Sequence, residues 1–504
     1  MCKYADGLSI CTSNSVLLGF IMPNTDQYEV VVGLEVHAQL LTESKLFCGD
    51  SAAYGGEPNT HISPVTLGHP GTLPVMNKKA IEYAVKMGLA CHCSITGTNY
   101  FARKNYFYPD LPKGYQLTQH TTPICKEGYV PIEIDDTQKN IRLNRIHLEE
   151  DAGKSLHDVD PNATCVDYNR AGVPLIEIVT EPDIRSGDEA YAYLTVLRRL
   201  LRYLAICDGN MEEGSMRCDA NISVRKKGDE KLGTKVEVKN LNSIRNVKRA
   251  IEHEAGRMIA MLQNGEAIVQ QTRSFDAGNG TTFAMRTKEE ANDYRYFPDP
   301  DLPPFIVTEE WVQKIRAELP ALPEQRIEKY TSEYNLSLYD ARQLTDEKEI
   351  ADYFEQVITH TGNYKSAANW LLGPLRSYLN ENNLSVTDLQ LQPSFIAELA
   401  SLVEEGKINF SMAASKVLPV LIQQPGKLPA DVIRELNLLQ TTDESAVQAW
   451  VEAVLQKMPD KVSEYRKGKK GLMGLFVGEV KRISKGKADP RLVNDLLNEK
   501  LNEK

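Results

Sequence analysis

A proline cluster beyond the middle of the chain is the feature that most constrains its fold. The cluster reads Pro298-Asp299-Pro300-Asp301-Leu302-Pro303-Pro304. Because proline has no backbone N–H and a fixed φ, neither a helix interior nor a central strand tolerates such a segment. Residues 1–310 hold 23 of the 32 glycines and most segments of alternating polarity, whereas 311–504 has mainly helical periodicity. We therefore predict an α+β protein, with a mixed or antiparallel sheet first and helices after it.

A second break, at Gln424-Pro425-Gly426-Lys427-Leu428-Pro429, separates a basic tail from the rest of the helical part. Residues 457–504 contain 13 Lys or Arg and seven Asp or Glu, a net charge of +6, whereas the other 45 basic and 62 acidic residues give −17. The predicted divisions are an N-terminal extension (1–27), a mixed domain (28–304), a helical domain (305–425) and a basic helical tail (426–504). Regular patterning begins only at Tyr28, so Met22 is an alternative translation start.

Missing motifs disfavour several classes of protein. No P-loop, Rossmann or nucleophile-elbow motif occurs, so a nucleotide site here must be built differently. The N-terminal apolar stretch, 16–22, is far shorter than the roughly 18 residues of a membrane helix, which argues against a membrane role. All nine cysteines lie in the first 218 residues without a regular framework, which predicts reduced thiols and a cytoplasmic location.

The segment from Tyr28 to Leu40 has the period-two pattern of a half-buried strand. Its even-numbered residues are mainly apolar, while Glu35 and His37 share the other face with Cα atoms about 7 Å apart. Gly33 on that face leaves room for a ligand. A carboxylate beside an imidazole suits a divalent cation; the alternative is a solvated strand face.

Three adjacent acidic residues form a second candidate for a ligand-binding site. Glu149, Glu150 and Asp151 precede Gly153 and Lys154, where the backbone is free to turn closely around a phosphate or a metal. On a strand, Glu149 and Glu150 face opposite sides, so at most one enters a given site. The alternative is a solvated turn.

Other polar positions lie on predicted strands. Glu177 interrupts an apolar strand, where a lone carboxylate normally needs a partner, a metal or a proton. Asp219 lies on a strand whose predicted hairpin partner covers 234–239. Between them, a capping box at 186–189 predicts a helix that packs through Leu194, Leu197 and Leu201.

Two segments interleave aromatic and basic residues. They are Arg103–Gln116 and Asp293–Pro298. Aromatic rings beside cations can stack on bases and bind nucleic acid, but aromatics beside prolines also form packed, rigid loops. The sequence leaves both interpretations open.

Together these segments closely resemble the GatB/GatE family, the B subunits of bacterial aspartyl/glutamyl-tRNA amidotransferases. The similarity is collinear from about Tyr28 to the C-terminus, and the tail is similar to proteins of the YqeY type. The matching segments are 33–37, 103–114, 147–154, 167–184, 210–224, 237–243, 293–304, 467–469, 474–478 and 485–490.

The resemblance implies an ATP-dependent ligase. Glutamate on the glutamine tRNA, or aspartate on the asparagine tRNA, would be phosphorylated by ATP at its side-chain carboxylate. Ammonia from the glutaminase, or A-type, partner would then displace the phosphate, in a heterotrimer completed by a small C-type partner. The resemblance further implies a cradle-shaped catalytic domain that uses Mg²⁺, followed by all-helical and tail domains that reach tRNA.

Motif positions assign the site residues that the resemblance implies. The Mg²⁺ ligands would be His37, Glu150 and Glu177, with the choice between Glu149 and Glu150 left open. The remaining assignments are catalytic roles for Glu35, Glu149, Glu150 and Lys104, with Lys104 near the ammonia path, and cofactor binding by Lys154, Arg217 and Asp219.

The chain departs from the family at one place. Many members hold zinc with four cysteines, but the matching positions here are Cys48, Asp50, Ser63 and Thr66. We therefore predict no zinc there. The segment 91–93, Cys-His-Cys, is a weak substitute because alternation along a strand would point its histidine away from both thiols.

Two other functions remain open on the sequence: a non-catalytic tRNA-binding protein, and a different ATP-dependent carboxylate–amine ligase. The sequence also does not distinguish Glu-tRNA from Asp-tRNA as the substrate.

Overall fold

The fold comes from a computed structural model that describes residues 27–135, 137–285, 294–439, 444–484 and 487–502. The predicted extension up to residue 26, the alternative start at Met22 and part of the 485–490 segment lie outside these residues. The chain divides into two compact units, one ending at Leu319 and the other beginning at Pro320. The first unit continues past the proline cluster and includes a further helix.

The first unit contains the strands β1 (Tyr28–Gln39), β2 (Ser94–Ile95), β3 (Thr98–Asn99), β4 (Ala102–Asn105), β5 (Tyr115–Thr118), β6 (Cys125–Lys126), β7 (Tyr129–Ile134), β8 (Thr137–Glu150), β9 (Lys154–Asp160), β10 (Ala163–Asp167), β11 (Pro174–Thr180), β12 (Met216–Lys226), β13 (Val236–Leu241), β14 (Gln271–Asp276), β15 (Thr281–Ala284), β16 (Phe297–Pro298) and β17 (Phe305–Ile306). Its helices are α1 (Lys78–Ala90), α2 (Gly187–Tyr203), α3 (Ile244–Gln263) and α4 (Glu309–Ala317).

One large mixed sheet dominates this unit. Its main path runs β15-β14-β13-β12-β1-β11-β8-β5-β4-β16, with β7 and β6 also pairing with β8, and β2 with β6. The β13–β14 pair is parallel, and the other pairs along this path are antiparallel. As predicted for β1, Val32, Leu34 and Val36 are fully buried on one face, which leaves the other face for polar side chains.

Helix α2 confirms the prediction from its capping box. The Ser186 side chain accepts a hydrogen bond from the Glu189 N–H, and the three predicted leucines are fully buried. Helix α2 packs against α3 and β7, α3 packs on β12, and α1 packs on β8 and α4.

The proline cluster begins as an edge strand. Phe297 and Pro298 form β16, which pairs with β4 at the end of the sheet, and an edge position is where a sheet accepts proline. The Arg103 side chain of β4 pairs with Asp299 at 2.5 Å and Asp301 at 2.9 Å. The cluster is therefore held against the sheet.

The described part of the second unit is helical. Its helices are α5 (Pro323–Ser332), α6 (Leu338–Leu344), α7 (Lys348–Ile358), α8 (Tyr364–Trp370), α9 (Arg376–Asn382), α10 (Pro393–Glu404), α11 (Phe410–Met412), α12 (Leu418–Gln423), α13 (Pro429–Glu435), α14 (Glu444–Lys457), α15 (Pro459–Arg466), α16 (Met473–Ile483) and α17 (Pro490–Asn502). A sheet followed by helices confirms the α+β class.

The described residues of the second unit form two hydrophobic cores. Buried residues from Tyr330 to Ile433 form one core, and buried residues from Val447 to Leu501 form the other. Helix α13 belongs to the first core because its Val432 and Ile433 are buried there, although it follows the sequence break at 424–429. None of the described helices is long and apolar enough to cross a membrane.

Candidate active site

Strand register assembles the candidate site on the polar face of the sheet. His37 of β1 lies opposite Glu177 of β11, and Glu177 lies opposite His147 of β8. Glu149 is two residues beyond His147 and therefore points to the same face. Four polar side chains from three separate segments of the sequence meet because three antiparallel strands are neighbours.

These side chains form a compact cluster. His37 Nε2 is 3.5 Å from Glu149 Oε1 and 3.6 Å from Glu177 Oε2, and donor atoms of the three residues all lie within 4.8 Å of one another. His147 Nε2 is 3.2 Å from Glu177 Oε2. Two carboxylates and an imidazole are a donor set that suits a divalent cation such as Mg²⁺ or Mn²⁺.

Charge interactions inside the cluster are strong because it is largely buried. Burial alone would lower the pKa of His147, but its contacts with Glu149 and Glu177 outweigh burial and raise the pKa to about 9. Burial would raise the pKa of Glu177, but His147 and His37 hold that pKa well below its usual range. The Glu177 carboxylate therefore remains ionised and attracts positive charge.

Glu150 does not join this cluster, contrary to its assignment as a metal ligand. It accepts two hydrogen bonds from Lys113 Nζ, at 2.6 and 2.7 Å, and one from the Leu117 N–H at 2.9 Å. It borders a separate cavity of about 210 Å³. The reason is the alternation of β8, which sends Glu149 and Glu150 to opposite faces. Of the two, Glu149 is the one that faces His37.

A second acidic group lies beside the cluster. Donor atoms of Glu35, Asp219 and Glu237 also lie within 4.8 Å of one another. Lys239 Nζ bonds Asp219 at 2.6 Å and Glu237 at 3.0 Å, so part of this charge is already balanced. Glu35 accepts a hydrogen bond from the Asn221 amide at 2.8 Å, and burial first, then the charge of Glu177, raise the pKa of Glu35.

Both acidic groups open into one cleft of about 890 Å³. Lys104 lines it, with Nζ 4.9 Å from the centre of the Tyr294 ring, and Asp219 lines it as well. Arg217 is instead held by Asp151 at 2.9 Å, and Lys154 is an exposed residue of the separate β9–β10 pair. Of the three residues assigned to cofactor binding, the structure brings only Asp219 into the cleft.

Sequence reasoning missed His147 as a member of the site. It is 3% exposed, and its Nδ1 has no hydrogen-bond partner among the described residues. The available signal was its position two residues before Glu149, which puts both side chains on one strand face. The pairing of His147 with Glu177 depends on register and was not readable from a single strand.

The four residues that occupy the family's zinc positions are linked to one another by hydrogen bonds in this structure. Thr66 donates to Asp50, Cys48 Sγ is 3.4 Å from Thr66 Oγ1, and Ser63 also bonds Asp50. One thiol, one carboxylate and two hydroxyls do not make a tetrahedral Cys₄ set. These residues do not fit structural zinc.

The 91–93 segment is not the strand that we assumed. Cys91 caps the end of α1, and His92 has a left-handed backbone with φ of 59°. The His92 ring stacks on Tyr129 at 4.5 Å, while Cys93 Sγ donates to the Glu127 carbonyl at 3.0 Å. The three residues have separate partners because they form a turn after the helix.

Comparison with known proteins identifies the family. A family model described as the GatB/GatE catalytic domain matches residues 30–313, and one described as the GatB domain matches 352–501. The chain is 51% identical over 471 residues to the B subunit of the aspartyl/glutamyl-tRNA(Asn/Gln) amidotransferase of Thermodesulfovibrio yellowstonii, covering 94% of this chain and 98% of that protein.

Two further relatives carry the same name. The protein from Syntrophotalea carbinolica is 49% identical over 477 residues, covering 95% of this chain and 99% of its own length. The protein from Geotalea uraniireducens is 50% identical over 479 residues, covering 94% and 100%. With matches that cover both units nearly end to end, the chain belongs to the GatB/GatE family of amidotransferase B subunits.

Proposed function

We propose that this chain carries the ATP-dependent step of a tRNA-dependent amidotransferase. The reaction converts Glu-tRNA(Gln), Asp-tRNA(Asn) or both to the amide forms. The observation that carries the proposal is the cluster of His37, Glu149 and Glu177, which lines a large cleft within the part of the chain that matches the family's catalytic domain.

The donor set fits Mg²⁺, which His37, Glu149 and Glu177 would hold. The ion would supply positive charge to offset the negative charge of ATP oxygens during phosphoryl transfer. Lys104 and Lys235 line the same cleft and would contribute further positive charge to bound phosphates. Phosphoryl transfer depends mainly on such positioning and charge, which these side chains supply.

The amide-forming step needs a proton acceptor. The side-chain carboxylate of the aminoacyl group attacks the terminal phosphate of ATP, giving an acyl phosphate and ADP. Ammonia then attacks the acyl carbon, phosphate leaves, and the nitrogen loses a proton. Glu35 is our candidate to accept this proton because its carboxylate lines the same cleft as the proposed Mg²⁺ ligands.

Family membership supports a proposal about the partners. We propose a heterotrimer in the cytoplasm with a glutaminase of the A type, which supplies ammonia, and a small partner of the C type. We propose that tRNA contacts the basic tail, where positive side chains would displace counterions from phosphates.

The test of the catalytic site is amide formation by the assembled heterotrimer with ATP, glutamine and misacylated tRNA. We expect Glu149→Gln to lower kcat at least about 100-fold, because it removes a ligand charge, while tRNA binding is kept. Glu57→Gln is the matched control, since Glu57 is exposed and its described hydrogen bonds are accepted by its backbone carbonyl.

Each alternative predicts a different result. Wild-type activity in Glu149→Gln contradicts the proposed site. A complex that binds tRNA but is unaffected by every acid substitution in the cleft indicates that the chain is a non-catalytic tRNA-binding protein. Amide formation on a free amino acid without tRNA indicates a different carboxylate–amine ligase.

The tail is tested by truncation after Leu439, which keeps α13 and the core that it completes. We expect weaker tRNA binding and a shallower dependence of affinity on salt, with unchanged glutaminase activity of the complex. Unchanged tRNA affinity contradicts the proposed role of the tail.

A further inference from the structure

One wall of the cleft is largely aromatic, and the proposed chemistry does not account for its rings. We call it the aromatic wall, and it consists of Lys104, Tyr108, His120, Tyr294 and Tyr296. It is assembled mainly from the two segments that interleave aromatic and basic residues, which lie almost 200 positions apart in sequence. Pairing of β16 with β4 brings the segments together.

The rings of the aromatic wall contact one another, and these contacts fix their orientations. His120 and Tyr296 are stacked, with ring centres 3.9 Å apart and planes 5° from parallel. Tyr294 meets Tyr296 edge to face at 6.1 Å, and Lys104 Nζ lies over Tyr294. The stack therefore has a defined orientation without any ligand.

Exposure distinguishes the two rings of the stack, because His120 is exposed and Tyr296 is half-buried. The separation of His120 and Tyr296 leaves no space for a third ring between them, whereas His120 itself is exposed and borders the cleft. A buried packing stack would hide both partners. The outer face of His120 can therefore receive one more planar ring and extend the stack.

We propose that the aromatic wall is a subsite for an adenine base, which stacks on the outer face of His120. This inference rests on the proposed function, whose two nucleotide substrates both carry adenine: ATP, and the terminal adenosine of the acceptor tRNA. A base at the wall would project its phosphates or its aminoacyl group into the cleft that also contains His37, Glu149 and Glu177. Stacking on an aromatic ring is a general way to hold a base, and a neighbouring lysine adds attraction for its phosphates.

The test uses 2-aminopurine, an adenine analogue whose fluorescence falls when it stacks. The full-length chain is titrated in one arm with 2-aminopurine nucleoside triphosphate and Mg²⁺, and in the other with tRNA that ends in 2-aminopurine. We expect quenching in one arm, which identifies the source of the base. His120→Asn should weaken binding of that probe about tenfold, and His120→Phe, which keeps a planar ring, should restore most of it.

The chain offers a matched control. His92 also stacks on a tyrosine but is not among the residues that line the cleft, and asparagine tolerates its left-handed backbone. His92→Asn should therefore bind both probes like the wild type. The proposal is overturned if neither probe is quenched by the wild type, or if His120→Asn and His92→Asn behave alike.

Amide formation by the heterotrimer separates this inference from the proposed function. With His120→Asn we expect the KM of the matching substrate to rise about tenfold with kcat little changed, since the base is remote from the reacting atoms. A wild-type complex that forms no amide contradicts the proposed function, while the quenching experiment still decides the stacking site.

Discussion

Glu149 and Glu150 are neighbours on β8, but they point to opposite faces of the sheet, where their charged partners differ. Glu149 faces a second carboxylate and two imidazoles, with no Lys or Arg among the ion-pair partners described for it. Glu150 is bonded to Lys113 in a separate cavity. The first arrangement leaves negative charge for an incoming cation, whereas the second is neutralised within the protein. The charged partners of a buried acid therefore say more about its function than its burial does.

The largest expected effect comes from breaking the neutralised pair. Glu150→Gln should lower the free energy of unfolding by about 3 kcal/mol, because Lys113 is left mostly buried without a counter-charge. Denaturant unfolding followed by circular dichroism measures this loss. The double variant Glu150→Gln/Lys113→Met should regain most of it, and an equal loss in the double variant would show that the pair is not the cause.

The next largest effect is stabilisation by Mg²⁺, which should depend on Glu149 and not on Glu150. Mg²⁺ at about 100 times its Kd should stabilise the wild type by about 2.7 kcal/mol through mass action. Thermal unfolding with and without Mg²⁺ should show no such gain in Glu149→Gln and a normal gain in Glu150→Gln. Equal responses in the two variants would refute the assignment of Glu149 as a ligand.

A smaller effect extends the comparison to a paired acid on α3. Glu254 is fully buried; burial raises its pKa, but hydrogen bonds from Arg257 and Thr282 and the charge of Arg273 outweigh it and lower the pKa. Its ionised form therefore stabilises the fold above the ordinary Glu range near pH 4.5, and this contribution is lost as pH falls through the lower folded pKa. Between about pH 5 and 3, denaturant titrations should show the free energy of unfolding falling less steeply in Glu254→Gln than in the wild type.

The smallest expected effect concerns the hydrogen-bonded cluster that borders the Glu150 cavity. Elemental analysis of the purified chain should find no stoichiometric zinc, and in Mg²⁺-free buffer EDTA should leave the melting temperature unchanged. The triple variant Asp50→Cys/Ser63→Cys/Thr66→Cys, which restores four thiols, is the positive control and should bind zinc. One zinc per wild-type chain would contradict the prediction.

Local signals in the sequence predicted what depends on neighbouring residues. Short-range patterns predicted the alternation of β1, the cap and packing side of α2, and the helical second unit. They also carried the family resemblance. The same local logic showed that only one of Glu149 and Glu150 can enter the site. It failed for Cys91-His92-Cys93, where the end of a helix and a left-handed residue replaced the expected strand.

By itself, the sequence determined the class of fold, the family and most of the residues from which the site is built. Only the tertiary structure decided which of them meet. Register across β1, β11 and β8 joined His147 to the acids and turned Glu150 away, and the β16–β4 pairing brought the aromatic wall together. The physical reason is that a strand's own pattern states which face each side chain takes, but not which strand lies beside it.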